Sequence, residues 1–260
     1  MKRSDQDGVL SDPFESNIDV SHKIMSKNEF SIRQAGRDDV QMLESIEREA
    51  FQGISPVVRI DRDLVRENAV YLVAVRNWLP EERELGPRYA IATQSEKEDD
   101  SFFARLKRSL YRNFLDIVIK PKLPGDYIAG FVGLWFVLDE THVVIIALRE
   151  KDRRQGIGEQ LIISTLELAV ANGARLVTLE VRESNEAAIE LYLKYGFQKV
   201  GFRRQYYADG ENAVIMTTPQ IQSDDFQRQF RRLLEQHSYR WGTVSRPGFG
   251  STKSDSNEVV

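Results

Sequence analysis

The stretch from His142 to Thr217 limits the possible folds most, and its centre is Arg153-Arg154-Gln155-Gly156-Ile157-Gly158. An apolar run of strand-forming residues, His142 to Leu148, enters this hexapeptide, and a long helical pattern beginning near Ile157 leaves it. A strand, a polar turn and two glycines opening a helix leave backbone N–H groups free to bind an anion. Gly156 and Gly158 allow close approach because they lack a Cβ. Arg153 and Arg154 add positive charge suited to phosphate. The segment is therefore expected to cradle a pyrophosphate.

The surrounding sequence alternates strand and helix patterns. After the cradle, Ile157, Leu161, Ile162, Thr165, Leu168 and Ala169 recur at helical spacing and stop at Asn172-Gly173, a pair suited to a helix C-terminus. Leu176 to Val181 is expected as a strand and Asn185 to Tyr195 as a helix ending at Gly196. Phe197 to Tyr207 and Asn212 to Thr217 are expected as a hairpin around Asp209-Gly210. On the N-terminal side, Phe30 to Arg33 and Tyr71 to Val75 are expected strands. Between them Val40, Leu43, Ile46 and Ala50 stripe a helix capped by Asp38 or Asp39. Tyr127 to Leu138 pairs with His142 to Leu148 across Asp139-Glu140.

Two segments stand outside this alternation. Within residues 77–125, Ser101 to Ile119 has an amphipathic helical pattern, with Phe103, Leu106, Leu110, Phe114 and Ile117 opposite Arg105, Lys107, Arg108 and Arg112. Such a helix either packs on a sheet with a solvated charged face or touches RNA, a membrane surface or an acidic substrate. A second helix, Ser223 to about His237, carries Phe226, Phe230, Leu233 and Leu234 on one stripe. That stripe can dock on the domain or on a partner, which leaves a dimer open. Residues 1–28 and the tail after Gly242 are polar and aperiodic, and are expected to be disordered. The domain proper is thus 29–218, with 219–260 an appended helix and tail.

Composition removes several classes of function. The chain has 260 residues, 41% of them hydrophobic, enough for one substantial core. A net charge of −4 provides no global basic field for DNA. There is no cysteine, so disulfides, thiolate catalysis and cysteine metal sites are excluded. His22, His142 and His237 have no ligand spacing, so no metal site is expected. The cradle lacks both the lysine of a nucleoside-triphosphate loop and the third glycine of a dinucleotide fingerprint. No apolar run approaches the ~20 residues that span a bilayer. The first thirty residues lack the apolar core of a secretory signal, so a soluble cytoplasmic protein is expected.

Two side chains stand out downstream. Glu180 interrupts the apolar strand Leu176-Val177-Thr178-Leu179-Glu180-Val181, where alternation sets it with Leu176 and Thr178. A partly desolvated carboxylate tends toward a raised pKa suited to a general base; the structural alternative is pairing with Arg182 or Arg203. Tyr192 shares a helix face with Ala188 and Tyr195, either as a core aromatic or as a proton donor.

Arg153-x-x-Gly156-x-Gly158 resembles the acetyl-coenzyme A signature of the GNAT N-acetyltransferases. Leu179-Glu180-Val181-Arg182, Ser184-Asn185-Glu186-Ala187-Ala188-Ile189, Leu191-Tyr192, Tyr195-Gly196-Phe197, Arg203-Arg204-Gln205-Tyr206-Tyr207 and Ala213 to Met216 follow in order. Together they resemble the ribosomal-protein-alanine N-acetyltransferase (RimI-type) branch, over residues 130 to 218 and more weakly over 30 to 76.

The resemblance implies a GNAT α/β fold, a mixed twisted sheet with helices on both faces, here with a helical insertion and a C-terminal helix. It implies acetyl transfer from acetyl-coenzyme A to a protein N-terminal α-amine, possible acceptors including a ribosomal protein, by direct attack in a ternary complex. Glu180 is implied as base and Tyr192 as acid. Ile146, Ala147 and Leu148 would hold the pantetheine arm through their backbone, Arg153, Arg154, Gln155, Gly156, Ile157 and Gly158 the pyrophosphate, and Asn185 would bond the coenzyme while capping its helix.

Two departures bear on this reading. Arg149-Glu150-Lys151-Asp152 stands where the family usually has an Asp-Pro-like pair, and Phe51-Gln52-Gly53-Ile54-Ser55-Pro56 lacks the Pro-Trp-Ser pattern of the alanine-specific enzymes. A lysine or small-molecule amine as acceptor, and a coenzyme-binding module without turnover, are the alternatives.

Overall fold

The computed structural model describes residues 30–51, 58–79, 82 and 125–245. The expected disorder of residues 1–28, the helix at Ser101–Ile119, the Gln52–Pro56 part of the acceptor segment and the tail beyond Ser245 lie outside the described residues.

Seven strands form one mixed sheet in the order β1-β2-β3-β4-β5-β7-β6. They are β1 (Ser31–Gln34), β2 (Ala69–Arg76), β3 (Tyr127–Val137), β4 (Glu140–Leu148), β5 (Leu176–Arg182), β6 (Gln198–Arg203) and β7 (Ala213–Thr217). Every neighbouring pair is antiparallel except β4 and β5. A parallel pair needs a crossover, and helix α3 (Ile157–Ala171) supplies it. The other α-helices among the described residues are α1 (Val40–Phe51), the short α2 (Ile60–Asp63), α4 (Glu186–Lys194) and α5 (Asp224–Trp241).

Strand alternation distributes the helices over both faces. At the end of β4, Arg149 reaches Glu49 of α1, whereas its neighbour Leu148 lies against Gly158 of α3. Helix α3 is apolar nearly all round, and Leu161, Ile162, Ile163, Leu166 and Ala169 are all fully buried. A helix with no polar face must be covered on both sides. The sheet covers one side and α5 the other. Gln222, just before α5, bonds Val170 O and Ala174 O at the end of α3, and His237 and Trp241, in the last turns of α5, reach Gly156 at its start. Helix α5 therefore runs back along α3.

This settles the apolar stripe of α5. Phe226 and Phe230 are buried, stacked on each other, with Phe230 edge-on to Tyr195. The stripe docks on its own domain, which removes the sequence-based argument for a dimer through it. The cap expected at Asp38 or Asp39 also differs. Arg37–Asp39 forms a 3-10 turn ahead of α1, and the buried Asp39 carboxylate accepts the Gly36 N–H at 2.8 Å while pairing with Arg33 at 2.7 Å. Gly36 has no side chain with which to cap, so the carboxylate three residues on reaches back instead. Strand β6 ends at Arg203 and not at Tyr207. Gln205 takes a left-handed φ of 50° and donates its N–H to Asn212 Oδ1, which turns the chain into a loop early.

Replacing Phe230 by Ala empties a buried ring site in the α5 interface. The expected loss is about 3 kcal/mol of unfolding free energy, read from urea denaturation. A loss near zero would show that α5 contributes nothing to the core.

Candidate active site

Between β4 and β5 the sheet opens. Their pairing ends at Val143↔Leu179, whereas β4 stays paired with β3 as far as Leu148 and β5 with β7 as far as Arg182. A register shift against Gly133 and Leu134 leaves Val144 without a partner on β3, and bulges of this kind bend the strand that carries them. The facing edges of Val144–Leu148 and Glu180–Arg182 therefore diverge. A cavity of about 600 Å³ fills the divergence.

Glu180 lies on its wall with its side chain only 7% exposed. His142 Nε2 donates to one carboxylate oxygen at 2.7 Å, and Arg203 pairs with the other at 2.9 Å. Burial pushes the Glu180 pKa up, but the His142 hydrogen bond and the two cationic neighbours outweigh it. The carboxyl is held below its ordinary value, which corrects the raised pKa expected from burial alone. Of the two partners named from the sequence, Arg203 is the right one. Arg182 pairs instead with Asp209 and Glu211 and lies over the Tyr207 ring.

Tyr192 is buried to 3% exposure and also forms part of the cavity wall. Burial raises its phenol well above the ordinary value, so it is fully protonated at neutral pH. Asn185 caps α4 through its side-chain oxygen, which accepts the Ala188 N–H, and it too lines the cavity. The opposite part of the wall is aromatic, with Phe51, Trp135, Tyr206 and Tyr207. Trp135 is fixed by its Nε1–H bond to the buried Asp63, which also accepts the Tyr71 hydroxyl.

The strand residues and the cradle divide around this cavity. Ile146 lines it, Ala147 packs into the core, and Leu148 lies beneath Gly158. The segment Arg153 to Gly158 is outside the wall, at the start of α3. Gly156 is the N-cap, with φ 79°, and offers no side chain to the first turn. The N–H groups of Ile157 and Gly158 are thus left for an external acceptor. Arg153 and Arg154 are exposed and make no ion pair among the described residues, and Gln155 folds its amide back onto Lys151 O. Two exposed guanidinium groups stand beside the helix N-terminus, a combination whose charge and N–H groups suit an anion.

The structure thus brings Glu180, Tyr192, Asn185 and Ile146 to one cavity. Sequence reasoning missed His142, considered there only as a metal ligand. Its signal is its place two residues before Val144 on the strand entering the cradle, but the register that sets it opposite Thr178, one alternation from Glu180, is a tertiary fact. Among the described residues no cluster of His, Asp and Glu has the arrangement of a metal site, and no helix is long and apolar enough to cross a membrane.

The sheet thus divides between β4 and β5 beside a helix that opens on a glycine turn, an arrangement the chain shares with known proteins. The model of the Acetyltransferase (GNAT) family matches residues 72–197. A Bacillus subtilis (strain 168) relative, provisionally named a ribosomal protein bS18-alanine N-acetyltransferase, is 40% identical over 118 residues, 45% of this chain and 75% of the relative. An N-alpha-acetyltransferase of Saccharolobus solfataricus is 29% identical over 192 residues, 74% of this chain and 93% of the relative. The crystal structure of Arabidopsis thaliana NAA60 with a bisubstrate analogue shares the fold, with a TM-score of 0.50 at 16% identity over 73% of this chain and 98% of that one. The chain belongs to the GNAT family of acetyltransferases, whose acetyl donor is acetyl-coenzyme A.

The ionised state of Glu180 has a stability signature. A folded-state pKa below the ordinary 4.5 contributes stability that is complete above that value and lost as pH falls through the lower one. The stability margin of the wild type over Glu180→Gln is therefore expected to shrink between about pH 5 and about pH 3. A margin that stays constant in urea titrations at the two pH values would refute the assignment.

Proposed function

We propose that this protein transfers acetyl from acetyl-coenzyme A to a protein N-terminal α-amine by direct attack, with Glu180 and Tyr192 as its catalytic residues. The observation that carries this is their convergence on one cavity in two complementary states: a carboxylate held ionised and a phenol held protonated. Acetyl-coenzyme A supplies the activated thioester. Glu180 accepts a proton from the acceptor amine, directly or through a water, and His142 and Arg203 keep it competent to do so. An α-amine has a pKa of about 7.7–8.0, so a weak base suffices near neutral pH. Tyr192 donates a proton to the departing sulfur. Ile146, Ala147 and Leu148 offer the open edge of β4 to the pantetheine arm, Asn185 bonds it, and the segment Arg153 to Gly158 holds the pyrophosphate.

Support for an N-terminal acceptor comes from the relatives, named for bS18 alanine and for N-alpha acetylation. The aromatic wall of Phe51, Trp135, Tyr206 and Tyr207 agrees with a peptide acceptor, since such rings pack on an extended backbone. We place its action in the cytoplasm, with a ribosomal protein among the candidate acceptors.

The deciding assay is coenzyme A release with acetyl-coenzyme A and a set of acceptors: peptides with free N-terminal Ala, Ser or Met, a lysine peptide with a blocked N-terminus, and polyamines. Turnover with the free N-termini alone is expected. Turnover only with the lysine peptide or polyamines would overturn the acceptor, and silence throughout would overturn the enzyme.

Glu180→Gln is expected to lower kcat by roughly 10²–10⁴-fold with folding intact, and Tyr192→Phe to lower it in the same direction. Unchanged turnover in both would remove them from the mechanism. At the cradle, Arg153→Ala and Arg154→Ala should each raise the KM for acetyl-coenzyme A roughly tenfold, about 1.4 kcal/mol, with kcat little changed. The wild-type KM should itself rise with salt, as screened phosphate contacts require. A KM indifferent to both would place the pyrophosphate elsewhere.

A further inference from the structure

The last turns of α5 touch the cradle from behind. A Cβ built on Gly156 would lie 2.7 Å from the indole ring of Trp241. His237, 3% exposed, brings Nε2 to 3.4 Å from Gly156 O. That same carbonyl accepts the Gln160 N–H at 2.9 Å, the bond that opens α3. Around this contact lies a small apolar recess lined by Phe30, Ile32 and Ala74 as well as Trp241. These are residues of the β1–β2 side of the sheet, whereas the open cleft lies between β4 and β5.

The chain end of α5 is itself fastened. Val244 is buried, and the Ile32 N–H donates to Ser245 O at 3.1 Å. In the first turn of α3, Glu159 bonds Lys194 and the Tyr195 hydroxyl, linking the start of α3 to the end of α4. Trp241 Nε1 and Gln160 Oε1 are buried with no hydrogen-bond partner among the described residues. The contact of Trp241 with the turn is therefore one of shape, and steric contacts in close-packed interiors transmit small displacements. Helix α5 itself lies beyond residue 197, where the family match ends.

We propose that Trp241 and His237 are positioning residues of the coenzyme cradle. Helix α5 fixes Gly156, and through it the direction of the free N–H groups in the first turn of α3. Docking of α5 and binding of the coenzyme are then coupled, and the coupling is reciprocal: whatever affinity α5 contributes, bound coenzyme returns as protection of α5. This rests on the reading of Arg153 to Gly158 as the pyrophosphate site.

The test is calorimetric titration of coenzyme A into the full chain, as wild type, Trp241→Ala and Trp241→Phe, with steady-state kinetics alongside. Trp241→Ala should weaken coenzyme A binding by roughly tenfold, raise the KM for acetyl-coenzyme A in step and leave kcat at saturation within about twofold. Trp241→Phe, which keeps a ring against Gly156, should recover most of the affinity. Unchanged affinity in Trp241→Ala, or a fall in kcat at constant KM, would overturn the proposal. Should Trp241→Ala not fold, amide hydrogen exchange of the wild type decides. Saturating coenzyme A should slow exchange from Gln236 to Trp241, and identical exchange with and without it would overturn the coupling. A wild type that binds no coenzyme A would refute the cradle reading itself, a result distinct from binding that ignores Trp241.

Discussion

The interaction on which the rest depends is one that stops: the β4–β5 ladder ends after Val143 and Leu179. Unpaired backbone groups in a sheet interior are costly. Such a gap persists only where its two sides are secured by other partners. Here β3 secures β4 to Leu148, and β7 secures β5 to Arg182. The unmatched Val144 sets where the strands part. Side chains that would otherwise be cross-strand neighbours, such as Val144 and Glu180, become walls of a cavity. The peptide edges left over have the hydrogen-bonding form of a missing strand.

The electrostatics of Glu180 follow from that opening. Glu180 is the first residue of β5 beyond its last pair with β4. At the edge of the gap it stays mostly buried yet meets His142 across the parallel register and Arg203 from β6. Burial is the largest single influence and raises its pKa, but the His142 hydrogen bond and the charges of His142 and Arg203 together outweigh it. Tyr192 responds to burial first and to its neighbour Tyr207 second, and both raise it. Two groups a short distance apart in sequence therefore hold opposite protonation states in one cavity.

Most of this order was legible in the chain. The strand periods, the Asn172-Gly173 stop, the Asn185 cap and the cradle all have local causes, and local causes survive folding. What escaped was non-local. The lowered pKa of Glu180 needs His142, 38 residues away, and nothing in either neighbourhood fixes the parallel register that joins them. The destination of the Phe226 and Phe230 stripe was equally open, because an apolar stripe specifies burial without naming a partner. The decisive hint was in α3: a helix buried on every side requires a second cover, and α5 is the amphipathic helix that provides it.

The cradle shows how an exposed and strained turn is kept in shape. Arg154 adopts a left-handed φ of 62°, which costs a side chain roughly 1 kcal/mol, and Gly156 follows at 79°. Arg153 and Arg154 point to solvent, while the Gln155 amide bonds Lys151 O and the Arg153 N–H bonds Glu150 O within the turn. The support comes from both flanks. Upstream, the Arg149 guanidinium is buried against Glu49 at 3.0 Å and Ile128 O at 3.0 Å, and Glu49 also takes the Glu150 N–H at 2.8 Å. A buried pair of this kind is of little net value as an attraction but expensive to break from one side. It therefore acts as a rigid anchor where the family more often has an Asp-Pro-like pair. Lys151 is tied to Glu82, which Arg76 clasps in turn, and the Asp152 carboxyl takes the Tyr127 hydroxyl. Downstream, α3 continues into the core and α5 closes behind Gly156. With both ends immobile, the strain remains in the middle, and the N–H groups stay presented to an anion instead of relaxing onto the protein's own acceptors.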